Sequence, residues 1–395
     1  MALWKPWTRP WRRRPRPAPA FALAFALAAA LPAVACSTAP ASSGANAVGS
    51  TGHAAAPVIA SAQARQVFDR YVAAAAEEAA APSTSPLLSL VTGAERSVLS
   101  AALASHAVGA DDASASAAGA YRSSLSVTPG FASYTYGSAT FYRPEAAGFP
   151  RFFVASATRT LRGTKSTDGT ATEVGGARVP VDGTALLLFE QWGAGAPWLL
   201  ADTSTLAAGE EVPKLATDGA GLAETVTPTA STLLAQPDHV GPLQAAVVDD
   251  GPASAATKAV ADGPLTTGMY QGAVSHAGGM TAPRGDVYQW ELDGANYPVF
   301  ALRTAAGGAL VFYTMTLTTT VAVPDVVNKG NPVHSGLPIQ VPVELLMLLP
   351  TGRRAPLVQL ESEQTLSFAA VDPSPGTGKI HVVALGGGPT GASAS

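Results

Sequence analysis

The chain of 395 residues holds one cysteine, Cys36. That excludes a disulfide framework, a zinc site built on several thiolates and a Cys-X-X-Cys redox pair. Charge is scarce too: Asp, Glu, Lys and Arg make up 13% of residues, against roughly 25% in ordinary soluble proteins. With 47% apolar residues, this composition excludes a wholly disordered chain. Length admits about two or three domains, and a core of that size needs no covalent staples. A membrane-spanning helix takes about 20 consecutive apolar residues. No such run occurs; the apolar stretch 343–349, for example, is broken by Glu344.

Catalytic signatures are equally sparse. The six histidines stand at 53, 106, 239, 276, 334 and 381, none spaced as in the helical His-Glu-x-x-His motif. Neither Gly-x-Ser-x-Gly nor Ser-x-x-Lys occurs. The adjacent acids Glu77-Glu78, Asp111-Asp112, Glu210-Glu211 and Asp249-Asp250 diverge on any regular element and read as solvated faces. One Gly-x-Gly-x-x-Gly spans residues 386–391, but Pro389 interrupts it and no helix can follow before Ser395. A dinucleotide site requires that helix, so residues 387–395 read as a flexible tail. No catalytic residue, metal ligand or cofactor is expected.

What the chain does have begins at its N-terminus. Lys5, Arg9, Arg12, Arg13, Arg14 and Arg16 precede a short apolar stretch, 21–31, and the small-residue end Ala33-Val34-Ala35. This is the plan of a secretory signal peptide over residues 1–35, cleaved after Ala35. Its removal leaves 18 basic against 28 acidic residues, a net charge of −10. A chain so acidic carries no electrostatic footprint for nucleic acid.

Cys36 follows directly on Ala33-Val34-Ala35. The segment resembles the lipobox of bacterial lipoproteins, although Ala33 stands where that family usually has Leu. Together with the Ala-rich, Lys-poor composition, it resembles the secreted lipoproteins of high-G+C Gram-positive bacteria. The resemblance implies a diacylated or triacylated Cys36 as the mature N-terminus. It also implies placement on the outer face of the cytoplasmic membrane, with secretion as the alternative. Residues 36–60, small and nearly uncharged, read as a flexible tether.

Two α+β lobes are expected to follow, at 61–205 and 237–386, joined by a connection at 206–236. Helical periodicity predicts helices over 62–81 and from Ser85-Pro86 to about His106. Period-two patterning predicts strands at 131–143, 150–161, 183–192 and 197–201, with 163–182 an exposed hairpin loop. The second lobe repeats the order: broken helices, then strands at 286–292, 297–303, 309–323, 339–349, 356–361, 365–371 and 379–385. Leu186-Leu187-Leu188-Phe189 and Leu345-Leu346-Met347-Leu348 match at an offset of 159 residues, which suggests duplication. Helices against a curved antiparallel sheet resemble the nuclear-transport-factor-like and cystatin-like architectures.

Four aromatics near turns, Trp192, Trp198, Trp290 and Tyr297, are the candidate binding residues. The expected function is a lipid-anchored binding or scaffold protein whose partner is a cell-wall component, a small ligand or a membrane protein. The competing expectation is an extracytoplasmic hydrolase that carries no recognisable motif.

Overall fold

The computed structural model describes residues 56–80, 86–111, 134–145, 148–162, 171–174, 176–284, 286–323, 327–328, 331–332, 339–346, 348–350 and 353–395. The expected signal segment with Ala35, Cys36, most of the expected tether and residues 163–170 lie outside that set.

Helix α1 (Ser61–Ala80) forms where Ala64, Phe68 and Tyr71 recur on one stripe; these are buried while Arg65, Asp69 and Arg70 face solvent. Helix α2 (Gly93–Asp111) buries Ala94, Val98, Leu99 and Ala102 in the same way. Its start differs from expectation. Pro86–Ser89 is a separate 3-10 turn, because residues 90–92 must run extended to pair with a strand. Leu200 N–H donates to Leu90 O at 2.9 Å, and Thr92 N–H donates to Leu200 O at 2.8 Å.

The first-half strands are β1 (Tyr134–Tyr136), β2 (Thr140–Tyr142), β3 (Arg151–Leu161), β4 (Ala171–Val174), β5 (Ala177–Pro180), β6 (Gly183–Gln191) and β7 (Leu199–Leu206). Two further helices follow, α3 (Pro237–Asp250) and α4 (Thr267–Arg284). The second-half strands are β8 (Val287–Gly294), β9 (Phe300–Arg303), β10 (Ala309–Ala322), β11 (Val327–Asn328), β12 (Asn331–Pro332), β13 (Gln359–Asp372) and β14 (His381–Ala394). The main sheet runs β1-β3-β6-β7-β14-β13-β10-β8, with β2 beside β3 and β9 beside β10, and its pairings are antiparallel. The molecule is therefore α+β, with helices on a large antiparallel sheet.

The two halves follow one plan. Each has two helices, a first strand in two pieces, a long strand, a small hairpin and a closing strand pair. Even the bridge before the second helix recurs: Ala261 N–H donates to Ile380 O at 2.8 Å, and Ile380 N–H to Ala259 O at 2.7 Å. The register of the repeat is not the one expected from the 159-residue offset. Leu186–Leu188 lie in β6, but Leu345 and Leu346 lie in the helical turn Val343–Leu346. A four-residue apolar run is equally at home in either element. Here the amides of Leu345 and Leu346 both reach back to Pro342 O. The counterpart of β6 in strand order is β13, which joins the expected strands at 356–361 and 365–371 into one.

These halves do not stand as separate lobes. Residues 53–395 form one compact unit, because β7 and β14 pair directly at Leu206↔Ala384 and Thr205↔Leu385. Nor is the stretch 206–236 a loose connection. Ala223 N–H donates to Arg143 O, Arg303 N–H to Glu224 O and Val226 N–H to Ala301 O, all within 2.8–3.0 Å. Leu215, Leu222, Val226 and Leu233 are buried along it. Strand β5 is likewise not an exposed loop: Ala177 and Val179 are buried in the second half's core beside Met269.

The expected tail is also overturned, since residues 387–394 continue β14 along β13. Glycine serves here as packing, not as a linker. A Cβ on Gly386 would run into the Thr203 carbonyl, and one on Gly387 into the Thr365 carbonyl. The missing side chains let β14 lie between β7 and β13.

Each half covers one face of its sheet with helices. In the first, Phe153 stacks on Phe189 at 4.9 Å and meets Trp198 edge-on at 5.1 Å, under α1 and α2. In the second, Tyr313 stacks on Phe368 at 5.6 Å. The opposite faces share a third cluster, where Phe152, Val154 and Leu188 join Phe300, Leu302 and Phe312. Asp202 pins these faces together, accepting from Ser367 Oγ at 2.6 Å and Thr314 Oγ1 at 3.2 Å. Burial raises its carboxyl pKa, and the two hydroxyls partly offset that rise.

Candidate functional site

The shared cluster opens to the surface at one end. Phe152, at the start of β3, and Phe300, at the start of β9, meet with ring centroids 4.6 Å apart. Around them Val58, Pro150, Val226, Pro228, Pro298 and Val299 line a groove with a cavity of about 310 Å³. The prolines matter because they present apolar surface without a backbone N–H. At the rim, Phe149 is 41% exposed and the Arg151 guanidinium sits 4.4 Å over its ring. The volume lies at the lower end of the range for small-molecule pockets, which are mostly apolar with a few polar groups at the edge. The two segments that meet here are alike in sequence, Phe149-Pro150-Arg151-Phe152 and Tyr297-Pro298-Val299-Phe300. Nothing in that likeness says that they touch.

The four candidate aromatics do not gather at one site. Trp198 is buried in the first-half core and so offers no exposed face for a ligand; its hydrophobicity sent it inward against Phe153. Trp290 is half-buried on β8, donating Nε1–H to Val248 O at 3.0 Å. Trp192 is 55% exposed, with Nε1–H donating to Glu190 Oε1 at 2.7 Å. Tyr297 shares a 2.8 Å hydrogen bond with Ser97 and lines a separate open groove with Thr316, Thr365 and Thr390.

A polar cluster that sequence reasoning missed lies under α1 and α2. Residues alternate along β3, so Phe153, Ala155, Ala157 and Arg159 all face the helices. Three are core residues; the fourth is a cation. Arg159 pairs across to Tyr136 and lies with its guanidinium 4.3 Å over the Tyr134 ring. Glu95 of α2 is half-buried nearby. Desolvation pushes its carboxyl up to about 7, assisted by the Asp202 charge and opposed by Thr203, Arg159 and Tyr71. Burial likewise raises Tyr71 and Tyr136 well above the usual phenol range. The side-chain atoms Arg159 Nε, Thr203 Oγ1 and Thr205 Oγ1 are buried without a hydrogen-bond partner. Thr203 is thus near enough to Glu95 to favour its ionisation but is not aligned as a full hydrogen bond. The visible signal was a charged residue continuing an apolar strand face.

Among the described residues the histidines do not converge. His239 lies 3.8 Å from Asp238, His276 packs on Tyr288, and His381 shares a 2.9 Å hydrogen bond with Glu210. No group of three or more His, Cys, Asp or Glu that could hold a metal occurs among them. No helix among them is long and apolar enough to cross a membrane.

Residues 55–394 match the family described as Domain of unknown function (DUF8094), and the chain belongs to that family. No curated protein and no solved structure matches it.

Proposed function

We propose that this member of the DUF8094 family is a lipid-anchored envelope protein that binds a small ligand through an apolar group. The observation that carries the reading is the groove at Phe152 and Phe300. Its wall is mostly apolar, with Glu145, Arg151 and Thr225 as the polar lining residues, and its volume suits a small-molecule group. The Ala33-Val34-Ala35-Cys36 segment supports an acyl anchor, since two or more acyl chains give stable membrane attachment. The acidic mature chain argues against electrostatic adsorption to anionic lipid as the means of attachment.

Two measurements test the parts separately. Mass spectrometry of the mature N-terminus should find acylated Cys36, and Cys36→Ala should release the protein from membranes; an unmodified thiol defeats the anchor. For the groove, N-phenyl-1-naphthylamine fluorescence should rise on adding the purified protein. Phe300→Ala should weaken that binding several-fold. Equal probe binding by the two proteins defeats the groove assignment.

A further inference from the structure

Strand β10 alternates over Thr314, Met315, Thr316, Leu317 and Thr318. Met315 and Leu317 enter the second half's core, so the threonines lie on the opposite face of the sheet. Thr316 pairs across to Thr365 of β13, whose O–H donates to Thr390 Oγ1 of β14 at 3.2 Å. Deeper in the fold this hydroxyl-bearing face is spent on Asp202, through Thr314 and Ser367. Two residues further along it opens into the groove lined by Tyr297, a cavity of about 730 Å³ against about 310 Å³ for the apolar groove. Helix α2 of the first half supplies another wall with Ser97, Ser100 and Ala101. These walls are fixed to one another. Tyr297 is tied to Ser97 across the two halves, Ala295 N–H donates to Thr314 O at 3.2 Å, and Tyr297 N–H donates to Ala295 O at 2.9 Å.

We propose that this groove is a second ligand site, which takes a short neutral oligosaccharide. None of its lining residues is Lys, Arg or His, so nothing there neutralises a phosphate or a carboxylate. Its aliphatic lining is limited to Ala101 and Ala295, too little to bury a lipid chain. What remains is hydroxyls, the Asn296 amide and one carboxylate, Glu363, whose single charge is a poor match for a polyamine. The floor is rich in acceptors. Thr365 spends its proton on Thr390, and Thr390 O–H donates to Glu363 O at 3.4 Å, so lone pairs are left facing the groove. A ligand must therefore bring neutral O–H donors. Sugar hydroxyls do so, and they also accept from the exposed Asn296 amide. Tyr297 adds the apolar surface on which the C–H face of a pyranose packs. The volume lies in the upper part of the range for small-ligand sites, with room for more than one sugar ring.

The test is isothermal titration calorimetry of the purified protein with maltotriose, cellotriose, mannotriose and triacetylchitotriose. At least one of these neutral trisaccharides should bind. Sialyllactose, a trisaccharide with a carboxylate, should bind about tenfold more weakly than the best of them, because its charge meets no cation. Spermidine, a cation without hydroxyls, should do no better. Asn296→Ala and Thr365→Val should each weaken the best trisaccharide about two- to tenfold, the worth of one neutral hydrogen bond. The proposal is overturned if no neutral trisaccharide binds, if sialyllactose or spermidine binds as well as the best of them, or if both folded variants retain wild-type affinity. Asn296 is exposed, so its variant keeps the fold, and the comparison among ligands needs no variant at all.

Discussion

Replacing Glu95 by Gln should stabilise the protein at alkaline pH and leave it nearly unchanged in acid. The carboxyl is held at about 7 in the folded chain against 4.5 for an unperturbed glutamate. Between those values the native state binds more protons than the unfolded state. Stability contributed by this group is therefore highest below about pH 4.5, falls as pH rises, and levels off above about 7. A shift of that size corresponds to roughly 3 kcal/mol at 1.36 kcal/mol per unit. Glu95 is half-buried, so water screens part of it, and about 2–3 kcal/mol is the expectation. Gln keeps the shape and cannot ionise. Urea unfolding of both proteins at intervals from pH 4.5 to 8.5 should show midpoints that coincide in acid and separate progressively, with the variant more stable at pH 8.5. Asp249 and Asp372, raised elsewhere in the fold, bend both curves alike and cancel in the difference, whereas Asp202, whose charge acts on Glu95, contributes to it. A constant offset across the range would refute the assignment, because a group that titrates alike in both states gives no pH dependence.

Three further outcomes follow from the packing. Deleting residues 387–395 should yield protein that is insoluble or lacks a cooperative melt by circular dichroism, since β13 loses its β14 partner over Leu360–Leu366 and Arg353 loses its 2.7 Å bond to Ala394 O. Gly386→Val should cost about 3 kcal/mol in urea unfolding, the upper range for overpacking, because the added carbons meet the Thr203 backbone; an unchanged midpoint would show that β7 and β14 can separate locally. Asp202→Ala should cost about 2–3 kcal/mol by leaving the Ser367 and Thr314 hydroxyls without their acceptor, with Asp202→Asn milder; equal effects would mean that the carboxylate charge matters and not its geometry.

Elements were more legible than arrangement. Helix α1 could be read from Ala64, Phe68 and Tyr71, and β3 and β6 from their alternation, because periodicity is a local property. Strand pairing is not local. Nothing in the segments 199–206 and 381–394 says that they adjoin, so one sheet looked like two lobes. Composition misled at Gly386–Gly388, where glycine marks a close backbone approach in a sheet and not a free end. Chemistry was concealed for the same reason. Arg159, Glu95 and Tyr71 are ordinary residues in sequence, 24 to 88 positions apart, and become a cluster only when strand and helix faces meet.

The β7–β14 seam has an evolutionary consequence. Two antiparallel strands related by a half-turn form the self-complementary contact of a two-fold homodimer. A single-copy ancestor with this plan would have met its twin there. In such a dimer every residue occurs twice, so a polar group set among core residues would burden both copies. Fusion into one chain lifts that constraint. One half can keep Arg159 and Glu95 on its helix-covered face, while the other buries Met269, Leu292 and Leu317 on its own.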